Sequence, residues 1–227
     1  MTLPATAPRP QASFPGRIAT RAALASGTIG IAAAGLLIGA DQLRAWRMAS
    51  RQVVTLLFAS HDVATIFQSL LLIPAIVAIH MLYRRSSAAS RASVIVSVTA
   101  LSAIALLQSL RFTGMAPETL YMLPQGLLGL WLIVINRFAT NVFPPYVRRI
   151  GMLAGLGLTM IAASLLTVIL YFGLGALTGR IRAGDSQARR VNQVLHVNLD
   201  MGTFLGKPTY PIWVLLAARK LRRQRVN

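Results

Sequence analysis

With 227 residues of which 55% are hydrophobic, the chain is more apolar than the roughly 45–50% usual for a soluble domain, and 23 basic residues against 5 acidic ones give it a formal net charge of +18. The absence of cysteine excludes disulfides, thiolate metal sites, iron–sulfur clusters and a cysteine nucleophile. On a soluble protein this charge would point to nucleic acid, but here the bases gather at the ends of apolar runs, where they face lipid, so no nucleic-acid partner is expected.

Residues 1–21 contain Pro4, Pro8, Pro10 and Pro15 together with Arg9, Arg17 and Arg21, and they read as a disordered basic tail. An uncharged run from Ala22 to Ala40 follows. It is longer than a usual signal core and has a poor cleavage site near Gly39, which predicts an uncleaved signal anchor; an organelle transit peptide is the alternative. Further runs cover Val53–Tyr83, Ala92–Leu110, Leu120–Ile135, Ile150–Leu177 and Leu199–Ala218, the last interrupted by Lys207 and Pro208. A helix needs roughly 20 apolar residues to cross about 30 Å of hydrocarbon. Inside lipid the backbone must satisfy its own hydrogen bonds, and continuous apolar runs do that as helices, not as the short alternating strands of a barrel. The fold class is therefore all-α: a polytopic transmembrane bundle of about six spans over residues 22–218, with a basic tail at 219–227. From Ser186, the apolar positions Val191, Val194 and Leu195 recur at helical spacing, which predicts an interfacial helix or a solvated extension leading into the sixth span.

The bases are unevenly divided. The side bearing both termini carries 14: Arg9, Arg17 and Arg21; Arg84, Arg85 and Arg91; Arg137, Arg148 and Arg149; and the tail set Arg219, Lys220, Arg222, Arg223 and Arg225. The opposite side carries 8: Arg44, Arg47, Arg51 and Arg111, then Arg180, Arg182, Arg189 and Arg190. The positive-inside rule then puts both termini in the cytoplasm. Of the 23 bases only Lys207 and Lys220 are lysine, an arginine bias common in GC-rich bacterial genomes. The expected location is a bacterial inner membrane, with the tail bases held against anionic lipid head groups.

The second half reads PQGLLGLWLIVINRF over Pro124–Phe138 and FPPYVRRIGMLAGLGL over Phe143–Leu158, then YPIWVLLAARKLRR over Tyr210–Arg223. These are two Gly-rich spans joined by a basic, Pro-containing turn, followed by a Trp-bearing last helix with a basic end. The pattern resembles an uncharacterised, domain-of-unknown-function family of bacterial six-to-seven-helix membrane proteins. That resemblance implies a helix bundle and carries no activity and no functional residue with it. Lys207 departs from the pattern.

Polar residues inside spans are costly, so each needs a reason. His61, Asp62 and Gln68 on the second span, Gln108 and Arg111 on the third, Glu118 and Gln125 at the fourth, and His196 and Asp200 at the sixth share one leaflet. His61, Asp62, His196 and Asp200 are candidate metal ligands, since positions four apart share a helix face; the bland reading is polar residues collecting where water reaches them. His61 and His80 lie about 28 Å apart along one helix, too far to ligate one haem, and no cofactor is expected. Asp62, Glu118, Asp200 and Lys207 form the candidate intramembrane cluster. Lys207 lies about 18 Å by helical rise from Arg219, so it faces the bundle interior or snorkels to an interface. If interior, its expected partner is Asp62 and then Glu118. Small-xxx-small faces at Gly35/Gly39 and Gly151/Gly155 predict close internal helix packing, and Pro74 and Pro124 are expected kinks. The segment GLGALTG at Gly173–Gly179 follows no strand and is not a nucleotide loop.

These features fit an integral membrane protein without enzymatic activity, a small transporter or an accessory subunit of a larger assembly. A membrane-embedded metal-dependent hydrolase using the His/Asp set and a lipid-binding scaffold are the alternatives. The topology is testable: reporters fused at Gln224 and inserted within Gly184–Gln187 report opposite sides of the membrane, and the same side for both contradicts the six-span reading.

Overall fold

The computed structural model describes residues 14–84, 91–113, 115, 120–138, 140, 142–172 and 186–223. Six helices carry them: α1 (Phe14–Ala45), α2 (Arg51–Arg84), α3 (Arg91–Phe112), α4 (Met122–Phe138), α5 (Pro145–Phe172) and α6 (Ser186–Arg223). No strand occurs among the described residues. Helices α1, α2, α3 and α5 are long and apolar enough to cross a membrane, and α4 is a shorter apolar helix. The chain is thus a multi-pass, all-helical membrane protein.

Each helix packs on its neighbours in sequence, and α6 closes back onto α1. The result is a ring of six helices in chain order, the arrangement that short connections between consecutive helices favour. Apolar side chains face outward as well as inward: Leu56, Phe67, Ile95, Leu106 and Leu170 are exposed. In water that would be an aggregation hazard; against acyl chains it is the expected surface.

Two of the following features differ from the sequence reading, and the third, the helical extension into the sixth span, agrees with it. Helix α1 starts at Phe14, within the stretch expected to be a tail, and Ala19, Thr20 and Ala23 are already buried there. Helix α6 is one continuous element from Ser186, so the segment leading into the sixth span belongs to the same helix. Pro124 lies in the first turn of α4, where its missing N–H is one of the unbonded donors of any helix start, so it needs no kink. Pro74 in α2 and Pro208 and Pro211 in α6 are internal. The last two deprive the carbonyls of Phe204 and Lys207 of their usual i+4 donors. Between the two prolines, Thr209 Oγ1 donates to the carbonyls of Leu205 and Gly206. Residues 1–13, the Gly173–Gly179 segment, Glu118 and the last four residues lie outside the described residues.

Glycines bring α5 against both neighbours. A Cβ on Gly129 would lie 2.6 Å from the Gly155 carbonyl oxygen, and one on Gly157 would lie 2.3 Å from the Gly206 nitrogen. Gly151 faces Asn136 and Trp213 in the same way. The expected internal face at Gly151/Gly155 is therefore present. The one at Gly35/Gly39 is not: both have open space beside them, because α2 and α6 approach α1 at Gly27 and Gly30 instead.

At the end where α4 passes into α5, Trp213, fully buried, donates from Nε1 to Asn136 Oδ1 at 2.9 Å and packs edge-on against Trp131 and Phe143. Arg148 Nε donates to the Asn136 carbonyl at 2.7 Å and Nη2 to that of Arg137 at 3.1 Å, capping the end of α4. At the opposite end α1 stops in a Schellman motif: Met48 N–H donates to the Leu43 carbonyl and Arg47 N–H to that of Arg44. Arg47 is left-handed, with φ 52°, where glycine is usual and a side chain costs about 1 kcal/mol. Ser50 then caps α2 through Oγ and the Val53 N–H.

Replacing Gly157 by Leu would drive a side chain into the α6 backbone and should destabilise the chain by about 1–3 kcal/mol or more. Gly35→Leu, which meets nothing, should stay within about 0.5 kcal/mol of the parent. Thermal unfolding in detergent, followed by helical circular dichroism, compares the two.

Candidate functional site: a polar cavity inside the helix ring

All six helices contribute to one cavity of about 30 Å³ at the centre of the ring. Gly30 and Ala33 come from α1, Ile104 from α3, Leu128 from α4 and Leu158 from α5. The polar lining comes from His61, Thr65, Gln68 and Ser69 on α2, Gln125 on α4, and Lys207 and Tyr210 on α6. On α2 the spacing 61, 65, 68, 69 is one face of a helix, while Val63, Phe67 and Leu70 on the other side are exposed. The sequence therefore turns a polar stripe inward and an apolar one to lipid.

Local structure fixes most of these groups. His61 Nδ1 lies 2.8 Å from the Ala33 carbonyl oxygen. A carbonyl can only accept, so Nδ1 carries the proton and Nε2 of the neutral ring is left as an acceptor. Thr65 Oγ1 donates to the His61 carbonyl, and Ser26 Oγ on α1 donates to the Gln68 carbonyl at 2.8 Å. Gly30 gives Gln68 its space: a Cβ there would lie 2.4 Å from Nε2. Gln125 Oε1 and Tyr210 Oη are buried with no protein partner. So are both amide atoms of the fully buried Gln108, which is not among the cavity-lining residues. An unmet buried group costs about 1–3 kcal/mol, so Gln125 and Tyr210 are the cavity groups for which a hydrogen-bonding occupant would be most favourable.

Asp62, buried beside His61, forms an ion pair with Arg111 of α3 at 2.8 Å. Arg111, which the sequence reading did not pair with Asp62, is thus a close partner of it. The ring explains it: α3 is a direct neighbour of α2, whereas α6 reaches α2 only across α1 or the centre. Lys207 is interior and partly buried, not snorkelled outward. Its Nζ lies 5.5 Å from the centre of the Tyr121 ring, and Asp62 acts on it electrostatically. Glu118, the other expected partner, lies outside the described residues.

The remaining candidates do not join the cavity. His196 and Asp200 are exposed on α6, and Asp200 lies within electrostatic reach of Asp41 at the end of α1. Among the described residues no three His, Asp or Glu side chains are grouped so that they could hold a metal ion. The structure therefore separates the four candidate ligands into a buried pair and an exposed pair. Sequence reasoning passed over Thr65, Ser69, Tyr121 and Tyr210. The signal available was the i, i+4, i+7, i+8 polar spacing from His61, and a tyrosine between two in-helix prolines.

No family model, curated protein or solved structure matches the chain.

The Asp62–Arg111 pair has a measurable consequence. Asp62→Asn and Arg111→Gln should each lower stability by about 1.5–3 kcal/mol, the range for hydrogen bonds to charged groups. Made together, they should cost less than the sum of the two. A thermodynamic cycle in detergent reads the coupling, and additive losses would contradict the pair.

Proposed function

We propose that the chain is a small membrane transporter of the relay type, in which protons pass through the central cavity by way of His61, Lys207 and ordered water. One observation carries this reading: titratable and amide side chains converge from different helices on a cavity of about 30 Å³ inside an otherwise apolar ring. A cavity of that size holds about one or two waters and no organic substrate. Ionisable groups inside a bundle are expensive to keep, and proton pathways are a common reason for keeping them.

The chemistry suits the task. His61 presents an acceptor nitrogen and Lys207 three donors, both to the same cavity. Gln125 Oε1 and Tyr210 Oη supply an acceptor and a hydroxyl with no competing protein partner. A hydroxyl that both donates and accepts can hand a proton on and reset by rotation. Asp62, paired with Arg111, places a negative charge within electrostatic reach of Lys207 in a low-dielectric site.

The hydrolase alternative finds less support, since His61 is held by a backbone carbonyl while His196 and Asp200 face outward. We further infer a bacterial inner membrane with both termini cytoplasmic, on the basic-residue count of 14 against 8.

Purified protein in vesicles enclosing a pH-sensitive dye, driven by a potassium diffusion potential with valinomycin, tests the reading. Wild type should acidify or alkalinise the lumen faster than protein-free vesicles. Lys207→Met and His61→Gln should slow this by about a hundredfold, the scale of a lost proton-transfer group, while keeping helical content. A rate equal to that of empty vesicles, or one indifferent to both substitutions, contradicts it.

A further inference from the structure

A second site lies outside the cavity, at the corner between α1 and α2. Leu43, Arg44, Arg47, Arg51, Val54 and Phe58 line an open cleft of about 580 Å³ there. We propose that this cleft binds the phosphodiester of an anionic membrane lipid, with Arg44, Arg47 and Arg51 on the phosphate and an acyl chain along Leu43, Val54 and Phe58.

The charge arrangement calls for an anion. Arg51 is the first residue of α2, where the helix end already carries positive character, and no acidic residue stands in that first turn. None of the three arginines is ion-paired to a described carboxylate. Asp41 acts on Arg44 from a distance, so Arg47 and Arg51 are the more available pair. Guanidinium groups present a planar fork that matches phosphate oxygens in pairs.

The backbone supplies a second, independent observation. Arg47 holds the left-handed position of a Schellman motif that glycine fills without strain. A strained arginine at a position open to glycine is explained by what its side chain does, and its side chain lines the cleft.

Position selects lipid over a free solute. Trp46 and Met48, 72% and 75% exposed, flank the cleft at the end of a membrane-length helix. An exposed indole, its Nε1–H donated to Gln42 Oε1 at 3.0 Å, is the kind of group that settles at the head-group level. The cleft is charged at the corner and apolar towards Phe58, the polarity of a phospholipid entering from its head.

Trp46 reports occupancy, since Trp131 and Trp213 are buried elsewhere. Full-length protein is placed in vesicles of phosphatidylcholine with either brominated phosphatidylglycerol or brominated phosphatidylcholine. The anionic brominated lipid should quench Trp46 at lower mole fraction. Arg47→Gly should cut that preference about fivefold, the equivalent of one interfacial charge near the surface. It should leave the unfolding temperature unchanged or raise it, because glycine relieves the turn. Arg47→Lys should recover most of the charge effect. Gln at Arg219, Lys220, Arg222 and Arg223 should leave the Trp46 preference intact. Equal quenching by both lipids, or a preference that survives Arg47→Gly, overturns the site. Displacement of the brominated anionic lipid from detergent-solubilised protein by millimolar inorganic phosphate overturns the lipid assignment in favour of a free anion.

Discussion

Hydrocarbon cannot hydrogen-bond, and that single fact organises this molecule. A polar side chain on a spanning helix has nowhere to turn but inward, towards another helix. The ring of six helices answers with one shared interior, into which α2 sends His61, Asp62, Thr65, Gln68 and Ser69 from a single face. Most of these groups are met by backbone carbonyls or by Arg111. The few that are not, on Gln125 and Tyr210, are the groups that give the centre its chemical character. The cavity and the bundle are thus one solution to one constraint.

Close approach at glycine is what allows the interior to be so small. Where α5 meets α4 and α6, backbone touches backbone at Gly129–Gly155 and Gly157–Gly206. No apolar side chain could fill those contacts without moving the helices apart and opening the centre. The other end of the ring is held differently, by the large rings of Trp131, Phe143 and Trp213 around Asn136. One half is tight because it lacks side chains, and the other because its side chains are large and interlocked.

Much of the architecture was legible in the sequence because lipid imposes a strong, one-dimensional signal. Runs of apolar residues gave the helix count, and counting along helices set Asp62 level with Arg111 and His61 level with Gln125. What could not be read was rotation and adjacency. Whether Asp62 meets Lys207 or Arg111 depends on which helices are neighbours, and apolar runs do not encode that. The same limit explains Gly35 and Gly39, whose spacing is that of a packing motif although α1 turns them to open space. Tyr210 was hidden for another reason: a lone tyrosine among apolar residues carries no periodic signal, and only the ring geometry shows that it faces the interior.

Ring closure in chain order also sets a schedule for biogenesis. Each helix finds its preceding neighbour as soon as it enters the bilayer, so most of the packing forms locally. The seam between α1 and α6 is different, because it joins the first element made to the last. Until α6 arrives, the polar stripe of α2 has no roof, and His61, Gln68 and Ser69 face an unfinished groove. A nascent chain of five helices would leave that stripe uncovered. Such a species is a natural client for insertion machinery that shields polar transmembrane surfaces, and a natural substrate for quality-control proteases if synthesis stops early.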